Sequence, residues 1–75
     1  MPYIKIKAYP KDPAIKQRVA ERINQVFLEE WGCPAEAISI SMEEIAPEEW
    51  QEKVVKPIMD PIGEKFLIRN GEKKY

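Results

Sequence analysis

Met1-Pro2-Tyr3-Ile4-Lys5-Ile6-Lys7-Ala8-Tyr9 alternates apolar and polar side chains with a period of two, the pattern of a half-buried β-strand. Pro2, Ile4, Ile6 and Ala8 share one face, while Tyr3, Lys5, Lys7 and Tyr9 share the other. If the initiator methionine is removed, Pro2 becomes a secondary amine at the head of this strand. An α-amino group titrates near ~7.7–8, closer to neutrality than a lysine, so modest burial or a neighbouring cation turns it into a usable base at working pH. Proline accounts for about 5% of residues in ordinary proteins, so its position alone decides nothing.

Outward from the strand, Pro10-Lys11-Asp12-Pro13 reads as a turn with Asp12 as helix N-cap and Pro13 at the first helical position. Ile15, Val19, Ile23, Val26 and Phe27 then recur at helical spacing, separated by Lys16, Arg18, Glu21, Arg22 and Gln25. The amphipathic helix ends at Trp31-Gly32, with glycine as the stop. Ala37-Ile38-Ser39-Ile40-Ser41-Met42-Glu43 is a second alternating strand, its core face carrying Ile38, Ile40 and Met42. A right-handed strand–helix–strand crossover makes the two strands parallel and lays the helix over their isoleucine face. Two strands make a poor sheet with open edges, so a four-stranded sheet completed by a second copy of the chain is expected.

The remainder reads as helical. Ala46-Pro47-Glu48-Glu49-Trp50 has a proline and acidic residues suited to a helix start, and Val54, Ile58, Ile62 and Phe66 recur every four positions. Pro57 and Pro61 predict a kinked helix or two short ones. The tail, Asn70-Gly71-Glu72-Lys73-Lys74-Tyr75, is polar and expected to fray. The fold class is α/β: a βαβ unit with two parallel strands and a C-terminal helical segment, in one domain spanning residues 1–75.

Composition limits the chemistry. Seventy-five residues allow only a small core, and 12 basic against 13 acidic residues give a net charge of −1, which argues against nucleic acid as a partner. One cysteine, Cys33, and no histidine exclude an internal disulfide, His/Cys zinc sites and Ser-His-Asp or Cys-His catalysis within the chain. The acidic group Glu43, Glu44, Glu48 and Glu49 is explained by the helix dipole and implies no metal. No apolar run has the length of a membrane span or signal segment, so the expected setting is soluble and cytoplasmic, without membrane partners.

An amino-terminal proline opening a strand, a charged turn near residue 11, a βαβ unit and an aromatic after the second strand together resemble the tautomerase superfamily. The 4-oxalocrotonate tautomerase family is the nearest likeness. Pro2-Tyr3-Ile4-Lys5-Ile6-Lys7, Ser39-Ile40-Ser41, Pro47-Glu48-Glu49-Trp50-Gln51 and the helical C-terminus are similar to its dimeric bacterial branch. The resemblance implies cofactor-free keto–enol tautomerisation of small enol or 2-keto acids by a homodimer, with Pro2 as general base and then general acid. It also assigns Lys11, at the family's turn arginine, to the substrate carboxylate, and Trp50 to an apolar wall that lowers the amine pKa. Ser39 stands where hexameric members carry a second arginine, which points to a monocarboxylate such as an aryl enolpyruvate. Two alternatives stay open: another proline-dependent reaction, such as hydration or dehalogenation of an unsaturated acid, and a non-catalytic dimeric scaffold of the same fold.

Overall fold

The computed structural model describes residues 1–75, which form two compact units, Met1–Ile45 and Ala46–Tyr75. In the first, β1 (Tyr3–Ala8) pairs in parallel with β2 (Ser39–Glu44), Ile4 opposite Ile40 and Ile6 opposite Met42. The alternation thus puts the large aliphatics of both strands on one face. The connecting α1 (Pro13–Val26) starts where the sequence predicts. Asp12 caps it by accepting the Ala14 N–H at 2.7 Å, and Pro13 occupies the first turn. Beyond Val26 the helix widens into a π-helical turn, Phe27–Trp31, and stops at Gly32 with φ of 70°, a left-handed conformation that a side chain resists. The Phe27 and Trp31 rings meet with centroids 5.3 Å apart, and the Cys33 thiol donates to the Phe27 carbonyl at 3.8 Å.

The second unit opens with a 3-10 turn, Pro47–Glu49, and continues as a widened π-type helix, Gln51–Met59. Pro57 lies inside it. Proline has no N–H to donate and its ring crowds the carbonyl one turn back, and widening the helix relieves that crowding. A short α2 (Asp60–Ile62) and a 3-10 turn (Gly63–Lys65) follow, so the prolines alter helical pitch without ending the helical run at Pro57.

The tail departs from expectation. Residues Ile68–Arg69 (β3) and Glu72–Lys73 (β4) pair antiparallel around Asn70-Gly71, whose φ values of 52° and 80° are those of a tight hairpin turn. Asn-Gly is the residue pair that such a turn favours, because both positions need positive φ. The polar composition of the tail conceals a register set by two residues.

Buried residues are few. Ala37 and Ile45 in the first unit and Val54 in the second are the buried hydrophobics, and no side chain is completely enclosed. Part of the apolar stripe of α1 is exposed, with Ile15 38%, Val19 40% and Val26 54% exposed while Ile23 and Phe27 are half-buried. Val54, from the four-residue repeat of the C-terminal segment, is buried within its own chain. No helix is long and apolar enough to cross a membrane.

Candidate active site

Pro2 is half-buried and immediately precedes β1. Its carbonyl accepts the Ser39 N–H at 3.1 Å, so Pro2 and Ser39 are neighbours at the amino-terminal end of the parallel strand pair. Ser39 brings no charge there. On the outer face just beyond, the Tyr3 and Ser41 hydroxyls share a hydrogen bond of 3.3 Å, and Lys5 and Lys7 both pair with Glu43, at 3.5 and 3.6 Å.

Lys11 lies at the opposite end. Its turn follows Ala8, which pairs with Glu44 in the strand register. The Ile45 N–H donates to the Ala8 carbonyl at 2.9 Å, and the Lys11 N–H donates to Glu44 Oε2 at 3.0 Å. Across six strand residues at ~3.3 Å each, Pro2 and Lys11 of one chain are separated by roughly 20 Å. One chain therefore does not bring its expected base and its expected carboxylate anchor together.

The Lys11 end has a built environment. An apolar cavity of about 110 Å³ opens between the strands and α1, floored by Ile6, Ile15, Val19 and Met42. Lys11, Lys16 and Glu44 also line it. Lys16 Nζ lies 3.3 Å from the same Glu44 oxygen that accepts the Lys11 amide. The Lys11 N–H and then the Lys16 ammonium hold the Glu44 carboxyl below the ordinary glutamate range. Composition and periodicity do not disclose Glu44 or Lys16 as members of this cluster; only the parallel register, Ala8 opposite Glu44, brings them to the turn.

Trp50 sits in the second unit, half-buried, directly ahead of the widened helix Gln51–Met59. Arg69 is engaged within the second unit. Its guanidinium pairs with Asp60 at 2.9 Å and lies 5.2 Å over the Phe66 ring. No group of three or more His, Cys, Asp or Glu side chains converges on a possible metal position.

No family model matches the chain. It is 32% identical over 63 residues to Tautomerase PptA of Pectobacterium atrosepticum, covering 81% of this chain and 83% of that protein. It is 29% identical over 72 residues to a probable tautomerase of Xylella fastidiosa, covering 95% and 88%, and 28% identical over 71 residues to Tautomerase PptA of Cronobacter sakazakii, covering 87% and 93%. The chain belongs to the tautomerase superfamily. In this chain the residues singled out by sequence divide between the two ends of one strand pair, Pro2 and Ser39 at one and Lys11 at the other. Glu44 and Lys16 join Lys11 through the fold.

Proposed function

We propose that this chain is a cofactor-free keto–enol tautomerase acting on small enol or 2-keto monocarboxylic acids, with the amine of processed Pro2 as general base and then acid. The amine takes the enol proton and returns it to carbon, while Lys11 binds the carboxylate and stabilises the developing enolate charge. Trp50 serves as an apolar wall for the amine, and the uncharged Ser39 beside Pro2 disfavours a second carboxylate.

The observation that carries the reading is the separation of Pro2 from Lys11 along β1. A homodimer resolves it. The β1 edge away from β2 is unpaired in the chain. If two copies join antiparallel along that edge, a four-stranded sheet forms and Pro2 of one copy faces the Lys11 turn of the other.

The test compares two samples of the protein, one with Met1 removed and one with Met1 retained, verified by intact mass. The processed sample is expected to ketonise an aryl enolpyruvate, and the Met1-retaining sample to be inactive while still folded. Equal activity in both excludes Pro2 as the base. Inactivity in both, with assembly intact, favours the scaffold reading, and turnover of an unsaturated acid without ketonisation favours hydration or dehalogenation.

A further inference from the structure

The charges around the Lys11 cavity are not distributed evenly among its cations. Lys16 pairs with Glu44 at 3.3 Å, while Lys5 and Lys7 pair with Glu43 on the outer face of the sheet. The Asp12 carboxylate is occupied by the Ala14 N–H. The Lys11 backbone N–H is held by Glu44, but the Lys11 ammonium has no carboxylate partner. A carboxylic acid entering the cavity thus meets one uncommitted positive charge, with an anionic Glu44 beside it.

We propose that Glu44 is a specificity-determining residue: by neutralising Lys16 next to Lys11, it makes the site accept monocarboxylate enol acids and reject dicarboxylates. This rests on the proposed role of Lys11 and extends it to two residues with no assigned part. Lys16 and the Lys11 amide meet the same carboxylate oxygen, so the Lys16 ammonium is held close to the Lys11 backbone and is masked only by its partner. A second substrate carboxylate would have to displace Glu44 from Lys16 or lie unpaired against it, and an unpaired carboxylate out of water is costly. The monoacid incurs neither cost. Its apolar part finds the aliphatic floor of Ile6, Ile15, Val19 and Met42.

Glu44→Gln and Lys16→Gln pull the two charges apart. In Glu44→Gln the amide oxygen still accepts the Lys11 N–H, so the turn keeps its anchor while Lys16 becomes a second free cation. The measured quantity is the ratio of kcat/KM for a dicarboxylate dienol to that for an aryl enolpyruvate, on processed protein. It is expected to rise about tenfold or more in Glu44→Gln, chiefly through a lower KM for the diacid, since a new ion pair acts first on binding. In Lys16→Gln the Glu44 charge is left uncompensated, and the ratio is expected to fall several-fold. The double variant Glu44→Gln/Lys16→Gln should lose the gain of the first.

A ratio unmoved in both single variants, or moved in the same direction by both, overturns the proposal. So does a gain that survives in the double variant, because Lys16 would not be the unmasked cation. Should Glu44→Gln fail to fold, Lys16→Gln decides alone by whether the ratio falls. Lys11→Ala keeps the two levels apart: if it impairs both substrates while the ratio ignores Glu44 and Lys16, only the specificity proposal fails. If it impairs neither, the Lys11 role fails first and the proposal with it.

Discussion

Lys11, Lys16 and Glu44 illustrate how a residue's chemistry depends on its neighbours. Lys11 looks like an ordinary solvated turn lysine until Glu44 is seen to hold its amide and to occupy Lys16, leaving the Lys11 ammonium without a partner. Lys11→Ala is expected to reduce kcat/KM for an aryl enolpyruvate by roughly 2–4 kcal/mol of transition-state stabilisation, the range for a charged anion-hole donor. If Trp50 walls the Pro2 amine as proposed, Trp50→Ala raises the amine pKa, which steady-state rates across pH would register as an upward shift of the ascending limb. Glu44 itself links charge to stability. Its carboxyl is lowered in the fold by the Lys11 N–H and Lys16, so the anionic form stabilises the fold above the ordinary glutamate range near ~4.3, and that contribution is lost as pH falls toward the depressed folded value. Thermal melts of wild type and Glu44→Gln should therefore converge on acidification below that range. A constant difference would mean that the carboxylate charge is not what the turn uses. Pro2 stands out from its place at the head of an alternating strand, and Lys11, Ser39 and Trp50 are named only through the family resemblance; Glu44 is not reached by either route, because its contact with the turn is made with a partner 33 residues away.

At the level of elements, agreement between sequence and structure follows the range of the determining interaction. β1, α1 and β2 are legible because period-two and helical repeats, the Asp12-Pro13 start and the Gly32 stop are all local signals. Asp12→Ala should destabilise the chain by about 1 kcal/mol through loss of the cap, measurable by denaturant titration. The widened helix Gln51–Met59 is only half legible. Pro57 announces a disturbance, but whether the backbone kinks, breaks or widens depends on how its surroundings hold the next turn. The C-terminal hairpin is the element that composition hides. Gly71 has φ of 80°, so Gly71→Ala should weaken the hairpin by about 1 kcal/mol locally. Faster amide exchange at Lys74, whose N–H donates to the Leu67 carbonyl at 2.7 Å, would report this without global unfolding.

For the whole molecule, surface chemistry argues for a dimer in preference to a larger ring. The outer sheet face carries Tyr3, Ser41 and the Lys5–Glu43–Lys7 cluster, with Lys5 and Glu43 each 49% exposed at the side chain. Burying that face in a hexameric interior would desolvate charges whose pairs are worth little in water. Light scattering is expected to give a dimeric mass, and a hexameric mass would refute the argument. The proposed dimer also makes a prediction about function that no property of one chain can imitate. Take a Met1-retaining chain, whose Pro2 is blocked, and a processed Lys11→Ala chain, whose carboxylate anchor is gone. Each homodimer is crippled at both sites. If a site takes Pro2 from one copy and Lys11 from the other, exchange of subunits creates a heterodimer in which both defects fall in one site and the other site is whole. With random exchange half of the dimers are of this kind, so recovered activity should approach about a quarter of the wild-type value per chain. If each chain supplied both groups to its own site, no mixture would contain an intact site and activity would not rise above that of the two variants. Recovery on mixing thus measures the roughly 20 Å between Pro2 and Lys11 in functional terms: a distance too long for one chain is bridged by a second.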